Sequence, residues 1–296
     1  MSVDPAAPRR RSVQCYSIAR LHRMSYLEWG DARNPRVLMC VHGLTRSARD
    51  FDRLARALCG DYRVICPDIA GRGDSDWLAD AKLYNVAQYV ADMVTLVARL
   101  DVAEVHWVGT SLGALIGMSL ASLKGNPIAR LVMNDAGPVL ARQALERMAG
   151  YVGLAPPFAS FDEGAQYVRG IAATFGPHSE DEWRHLCESV LRRDDDGSWR
   201  VHYDPKIGEA FRATLPEKDL ELWQIYDAVR CPTLVLHGET SDLLLPGTVA
   251  QMAQRGPRAR IAEIAGVGHA PTLMHEDQIA PVRDFLVGGE PASSVE

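Results

Sequence analysis

Two kinds of hydrophobic spacing alternate along the chain. A continuous apolar run is typical of a strand covered on both faces, whereas apolar residues three and four positions apart predict the buried face of a helix. The predicted strands are residues 36–41, 62–68, 105–108, 128–133, 233–236 and 260–264, and the predicted helical faces lie within 51–58, 86–100, 112–123 and 279–286. This order predicts an α/β fold with a mostly parallel sheet flanked by helices on both sides.

Both ends of the chain show a different pattern. Residues 15–21 and 24–29 fit an antiparallel hairpin at one edge of the sheet. Three arginines at residues 9–11 follow a segment rich in proline and alanine. We therefore expect residues 1–13 to form a disordered, solvated tail, and we expect the same of residues 288–296.

The alternation stops in the middle of the chain, between residues 137 and 226. Prolines separate short helix-like pieces there, and the segment holds 11 of the 21 aromatic residues. We interpret residues 137–226 as a helical cap inserted into a core made of residues 14–136 and 227–287. Its aromatic side chains either fill the cap's own small core or line a substrate pocket. Residues 194–197, three aspartates and a glycine, predict an exposed turn.

Composition places the chain among ordinary globular proteins. Its 296 residues are 47% hydrophobic and 24% charged, and the net charge is −6. This charge argues against nucleic acid or an anionic membrane as a partner. No apolar run is long enough to span a bilayer, and no signal peptide is expected. The six cysteines are scattered, without metal-ligand spacing, so a cytoplasmic location is the simplest expectation.

The chemistry begins at Gly109-Thr110-Ser111-Leu112-Gly113, between a predicted strand and a predicted helix. This G-x-S-x-G pattern is typical of a nucleophile elbow, a tight turn that holds a serine hydroxyl above the sheet. Glycines suit such a turn because strand and helix approach too closely for a β-carbon. Five residues alone would match by chance in many chains, so the prediction depends on its surroundings.

A nucleophilic serine needs a histidine base, and the base needs a carboxylate. Asp242 and His269 each follow a predicted parallel strand, so both are expected on the same rim of the sheet as Ser111. We favour Asp242 as the acid. Asp135, at the end of the sixth strand, is the alternative, and Glu239 is a weaker one. For the base, His275 is the competitor of His269.

Three other histidines are expected to be structural. His42 follows the third strand and is predicted to shape its loop, while His106 and His237 fall within strands. Neither a dinucleotide fingerprint nor a phosphate-binding loop occurs, and no His/Cys cluster predicts a metal. We therefore expect no cofactor and no metal.

These motifs together resemble those of α/β-hydrolase-fold enzymes over about residues 14–287. His42-Gly43 resembles the family's loop after the third strand, and residues 68–75 resemble its D-x-x-G-x-G-x-S turn. The predicted insertion follows the sixth strand, where family members carry a lid. Family members arrange their triad in the order serine, acid, histidine, which Ser111, Asp242 and His269 satisfy. The resemblance also implies an oxyanion hole made by the backbone N–H groups of Leu44 and Leu112.

The resemblance implies a serine hydrolase that cleaves carboxylic esters through an acyl-enzyme on Ser111. Its expected partner is a small-molecule ester with an apolar group; the oligomeric state is left open. A C–C bond hydrolase of the meta-cleavage-product type is an alternative, although those enzymes typically follow the histidine with tryptophan and here Ala270 follows His269. A non-catalytic small-molecule receptor on the same fold is the second alternative.

Overall fold

The computed structural model describes residues 7–288. Residues 1–6 and 289–296, which belong to the two predicted tails, lie outside the described residues. The first strand begins at Arg9, so the prediction of a tail is wrong for residues 9–13. Arg9 and Arg11 lie near the buried carboxylate of Glu28 on the next strand, and Val13 is buried. These contacts fix the segment in the sheet.

Within residues 7–288 the fold consists of twelve strands and ten α-helices, numbered in chain order. The strands are β1 (Arg9–Tyr16), β2 (Leu21–Trp29), β3 (Val37–Val41), β4 (Arg63–Pro67), β5 (Val105–Thr110), β6 (Ile128–Asn134), β7 (Val139–Leu140), β8 (Leu191–Arg193), β9 (Trp199–Val201), β10 (Leu220–Glu221), β11 (Thr233–Gly238) and β12 (Arg260–Ile264). The helices are α1 (Asp52–Leu58), α2 (Val86–Leu100), α3 (Leu112–Ala121), α4 (Arg142–Ala149), α5 (Phe161–Ile171), α6 (Glu180–Glu188), α7 (Lys206–Ala213), α8 (Trp223–Ala228), α9 (Pro246–Met252) and α10 (Glu276–Val287).

One sheet of eight strands organises the molecule, in the order β1-β2-β4-β3-β5-β6-β11-β12. Six of these strands run parallel to one another, namely β4, β3, β5, β6, β11 and β12. The remaining strand pairs are antiparallel, because β2 is antiparallel to both β1 and β4. The predicted mostly parallel sheet is therefore confirmed. The edge hairpin is present, but its turn lies at residues 17–20, within the segment predicted as its first strand. Parallel strands end at one rim, so the segments after β5, β6, β11 and β12 come together there.

Helices cover both faces of the sheet, as the pattern predicted. One buried cluster joins the sheet to α2, α3 and α8, and a second joins its other face to α1 and α10. β3 is buried along its full length, which matches its continuous apolar sequence. Within residues 7–288, none of the helices is long and apolar enough to cross a lipid bilayer.

The segment between β6 and β11 lies over the rim of the sheet. It contains α4 to α8 and two small antiparallel sheets, β7 with β10 and the hairpin of β8 and β9, which the sequence pattern did not predict. Residues 194–197 form the turn between β8 and β9, as expected. The predicted boundary at residue 226 falls inside α8, whose Tyr226 is buried in the main core cluster.

The inserted segment is fastened to the loop that follows β4. Gly73 N–H donates to His202 O at 3.0 Å, and Asp204 N–H donates to Gly71 O at 2.8 Å. Arg72 forms an isolated β-bridge with Tyr203. The glycine-rich turn after β4 thus connects the sheet to the segment above it.

Candidate active site

Ser111 stands at a sharp turn between β5 and α3. Its backbone has φ 52° and ψ −112°, a left-handed conformation that is strained for a residue with a side chain. A β-carbon at Gly109 would overlap the backbone of Gly113, and one at Gly113 would overlap the Val41 carbonyl. Ser111 N–H donates to Asn134 O at 2.9 Å, which ties the turn to β6. The predicted elbow geometry is present, with the serine side chain above the sheet rim.

A chain of hydrogen bonds runs from Ser111 to a buried carboxylate. Ser111 Oγ lies 2.9 Å from His269 Nε2, and His269 Nδ1 lies 2.8 Å from Asp135 Oδ2. Asp135 is fully buried. Its carboxylate also accepts from Gly238 N–H at 2.9 Å and from the Ser241 hydroxyl at 2.7 Å. A carboxylate on Nδ1 leaves Nε2 as the acceptor, so the imidazole can take a proton from the serine.

The structure does not place Asp242 beside His269, so that prediction is corrected. The Asp242 carboxylate receives two hydrogen bonds from Arg147 on α4, at 2.7 and 3.0 Å, and its side chain is exposed. The reason lies one residue earlier. Ser241 turns inward and donates to Asp135, so the next side chain points away from the sheet towards the inserted segment. The position beside the histidine is filled by Asp135, the alternative.

The two weaker candidates also lie away from the serine and make other contacts. Glu239 accepts from Gly266 N–H at 2.7 Å and so braces the loop before the histidine. His275 Nε2 lies 3.2 Å from a Glu182 carboxylate oxygen on α6. The structure therefore brings His269, and not His275, to the serine.

The remaining histidines make local contacts. His42 is fully buried, its Nδ1 donates to Gly43 O at 2.7 Å, and its Nε2 accepts from Ile69 N–H at 2.9 Å. Burial lowers the pKa of His42 to about 4, so the ring is neutral and holds two loops together. His106 and His237 lie in β5 and β11 and bond to a tyrosine hydroxyl and a backbone carbonyl.

Leu44 and Leu112 lie next to Ser111. Leu112 is the first residue of α3, so its N–H is not used by the hydrogen-bond ladder of that helix. The Leu44 carbonyl accepts from Arg72 Nε at 2.8 Å, while Arg72 Nη1 donates to Ala70 O and to the Tyr89 hydroxyl at 2.8 and 2.9 Å. Arg72 is fully buried. The arginine therefore fixes the peptide at Leu44. The sequence placed Arg72 in the glycine-containing turn after β4 but did not indicate this role.

The histidine loop is held from both sides. Thr174, in the inserted segment, donates its hydroxyl to His269 O at 2.7 Å, and its carbonyl accepts from Gly268 N–H at 2.7 Å. On the sheet side, Asn134 Nδ2 donates to Pro271 O at 2.8 Å. Sequence reasoning missed Thr174, because its contacts join residues almost a hundred positions apart.

Two cavities meet at Ser111 and share Leu44 and Met148 as walls. The first, of about 80 Å³, is lined by two arginines, and we call it the arginine cavity. Its polar lining includes Thr45, Arg46, Arg147, Tyr151, Tyr203 and His269, and the rest of its wall is mainly apolar.

The second cavity, of about 320 Å³, is lined mainly by aliphatic and aromatic side chains, and we call it the apolar cavity. Among its walls are Leu112, Leu115, Leu140, Leu145, Phe211 and Leu243. Of the two cavities, His269 lines only the arginine cavity, whereas Leu112 lines only the apolar cavity. The serine thus stands between two largely apolar compartments, of which only the first has charged side chains in its wall.

One group of side chains within residues 7–288 is close enough to share a metal ion. Cys15, His22 and Asp92 are buried between the edge hairpin and α2, and His22 Nε2 lies 3.1 Å from Asp92 Oδ2. Burial, with the charge of Asp92, raises the pKa of Cys15 to about 12. The three side chains pack against one another under the hairpin.

Comparison with known proteins gives consistent matches over nearly the whole chain. The model of the alpha/beta hydrolase family matches residues 38–282. A 3-hydroxybutyrate-oligomer hydrolase from Cupriavidus necator is 52% identical over 290 residues, which cover 96% of this chain and 99% of that protein. The crystal structure of an alpha/beta hydrolase from Novosphingobium aromaticivorans superposes with a TM-score of 0.84 at 35% identity, covering 95% and 98% of the two chains. E-2-(acetamidomethylene)succinate hydrolase shares the fold, with a TM-score of 0.81 at 21% identity, over 94% of this chain and 100% of that one.

Proposed function

Because the chain belongs to the alpha/beta hydrolase family, we propose that it hydrolyses carboxylic esters through an acyl-enzyme on Ser111. His269 is the general base and Asp135 the acid that orients it. The observation that carries this proposal is the hydrogen-bond chain from Ser111 Oγ through His269 to Asp135, with lengths of 2.9 and 2.8 Å. Such a chain is what a serine needs to attack an acyl carbonyl at neutral pH.

In the first half of the reaction, His269 takes the hydroxyl proton as Ser111 Oγ bonds to the ester carbonyl carbon. The carbonyl oxygen becomes an oxyanion, and we assign its binding to the N–H groups of Leu44 and Leu112. Asp135 stabilises the imidazolium. When the tetrahedral intermediate collapses, the C–O bond breaks and His269 Nε2 gives its proton to the leaving alkoxide, which departs as an alcohol.

In the second half, water replaces the alcohol. His269 removes a proton from the water as its oxygen attacks the acyl carbon, and the same two N–H groups bind the new oxyanion. The acyl–Oγ bond then breaks, and the proton returns to Ser111. The products are one alcohol and one carboxylic acid.

The substrate class we propose is short oligomers of a hydroxyalkanoic acid. A relative 52% identical to this chain is named for hydrolysing 3-hydroxybutyrate oligomers. The apolar cavity suits the methyl-bearing acyl part of such an ester. The inserted segment supplies walls to both cavities, including Met148 and Phe211, so we assign to it the role of a cap that selects the substrate.

Covalent labelling tests this proposal. Mass spectrometry of the intact protein should show one covalently bound fluorophosphonate probe, and this addition should disappear in Ser111→Ala. Ser119→Ala, which changes a serine of the same helix α3, is the matched control and should be labelled like the original protein. Ester hydrolysis by folded protein without labelling, or labelling that persists in Ser111→Ala, would overturn the acyl-enzyme.

A further inference from the structure

The two cavities beside Ser111 divide the substrate between them. We propose that the arginine cavity binds the free carboxylate of a hydroxyacid ester, on its alcohol side, and that Arg147 selects for this charge. The inference rests on the proposed ester hydrolysis and adds the direction in which the substrate lies. It follows from which residues line each cavity and from the state of the two arginines.

The orientation of the ester follows from the position of the histidine. His269 must protonate the leaving oxygen, and it lines the arginine cavity but not the apolar one. The alcohol part of the ester therefore extends into that cavity. Leu112 lines the apolar cavity, so the acyl part lies on the side of α3. In an oligomer of a 3-hydroxyacid, the alcohol part of the last ester bears the free carboxylate.

Arg46 is not available to this carboxylate. Its guanidinium donates to Asp50 at 2.8 and 2.7 Å, and it also contacts Leu186 O and Ser189 Oγ at 3.3 and 3.2 Å. The side chain is 11% exposed. Its charge is thus neutralised by a nearly buried partner, and its Nε and Nη2 donors are used within the protein.

Arg147 is in a different state. Its partner Asp242 lies on the rim, and the two side chains are 38% and 42% exposed. Solvent screens such a pair, so the carboxylate of a substrate can replace that of Asp242 without leaving a buried charge. The guanidinium presents a planar pair of donors that matches a carboxylate. Tyr151 lines the same cavity, and burial raises its pKa, so its phenol stays neutral.

This arrangement predicts a preferred bond. A carboxylate held at Arg147 places the ester nearest the free acid end at Ser111, so each turnover releases one hydroxyacid monomer from that end. A trimer should yield one dimer and one monomer, and the monomer should come from the carboxyl end. A trimer isotopically labelled in its carboxyl-terminal unit shows this by mass spectrometry of the first products.

The decisive measurement compares the 3-hydroxybutyrate dimer as free acid with its methyl ester. The original protein should show the higher kcat/KM on the free acid. Arg147→Gln should lower the ratio of kcat/KM on the free acid to kcat/KM on the methyl ester by about tenfold or more, since it removes a bidentate charged contact. Arg142→Gln is the matched control on the same helix, because Arg142 pairs with Glu146 outside the cavity, and its ratio should not change.

Asp242→Asn supplies a test in the opposite direction. It removes the carboxylate that competes for Arg147, so the ratio of free acid to methyl ester should rise. Equal losses on both substrates in Arg147→Gln, or an unchanged ratio in both variants, would overturn the carboxylate subsite. That result differs from a failure of the proposed function, in which neither substrate is hydrolysed and Ser111 is not labelled.

Discussion

Asp135 and His269 are 134 positions apart in the chain, yet Asp135 Oδ2 lies 2.8 Å from His269 Nδ1. The sheet order explains the approach. Asp135 follows β6 and His269 follows β12, and β11 lies between these strands in the sheet. The end of β11 completes the arrangement, because Gly238 N–H and the Ser241 hydroxyl both donate to the same carboxylate.

This relationship predicts the effect of Asp135→Asn. An amide at this position no longer holds the imidazole in the tautomer that accepts from the serine, so kcat on p-nitrophenyl butyrate should fall by about 10⁴. Circular dichroism should show that the variant is folded. Asp242→Asn should lower the same kcat by less than tenfold, because Asp242 contacts Arg147 instead. A larger loss in Asp242→Asn than in Asp135→Asn would return the acid to the loop after β11.

The sequence was sufficient to predict that Ser111 and His269 lie on the same rim of the sheet. It was not sufficient to identify which aspartate contacts the histidine. Asp135 and Asp242 both follow parallel strands that end at one rim, so the argument from strand ends applies equally to both. The choice is made by local backbone geometry. Asp135 has a φ of 52°, and Ser241 turns inward to meet it. Neither feature has a signature in the order of the residues.

The fold shows the same division between local and long-range signals. Hydrophobic spacing predicted each parallel strand of the large sheet, and all of these except the edge strand β12 are largely buried. It missed the beginning of β1, where Arg9 and Arg11 are held by Glu28. It also missed the two small antiparallel sheets in the inserted segment. Strands of two or three residues carry too few positions for alternation to appear.

Thr174 offers a test of how the inserted segment supports the histidine. Its hydroxyl donates to His269 O, so Thr174→Val removes this hydrogen bond and nearly preserves side-chain size. A hydrogen bond of this kind contributes about 1 kcal/mol, so we expect kcat to fall about fivefold. Thr95→Val is the control, since Thr95 bonds only within α2 on the exposed surface. Equal kcat values for the two variants would contradict a positioning role for Thr174.

Arg72 predicts a second positioning effect, at Leu44. In Arg72→Lys a single ammonium replaces the guanidinium that bridges Leu44 O, Ala70 O and the Tyr89 hydroxyl. The Leu44 peptide should lose its fixed orientation, and kcat should fall about tenfold or more with a smaller change in KM. The free energy of unfolding, measured in urea, should fall by about 3 kcal/mol, because buried charged hydrogen bonds are lost. An unchanged kcat in a destabilised variant would confine Arg72 to a structural role.

Asp68 predicts a dependence of stability on pH. Its carboxylate is buried and accepts from Ala48 N–H at 2.8 Å and from Asp74 N–H at 3.1 Å. Burial raises the pKa of Asp68 to about 6, and the Ala48 N–H and the charge of Arg10 offset only part of this rise. Between about pH 4 and pH 6 the native protein therefore binds more protons at Asp68 than the unfolded chain does. The contribution of this group to the free energy of unfolding falls as the pH rises through that window.

Asp68→Asn removes this titration. The cost of placing an amide against two N–H donors is independent of pH, so it shifts the whole curve without changing its slope. The measured quantity is the unfolding free energy of Asp68→Asn minus that of the original protein. This difference should increase by about 3 kcal/mol from pH 4 to pH 7, since burial raises the pKa of Asp68 by about two units. Asp31→Asn is the control. Arg33 holds the pKa of Asp31 below its usual value, so this group titrates below the window, and its difference curve should be flat from pH 5 to pH 7. Urea unfolding at several pH values measures both curves, and a flat difference for Asp68→Asn as well would contradict the raised pKa.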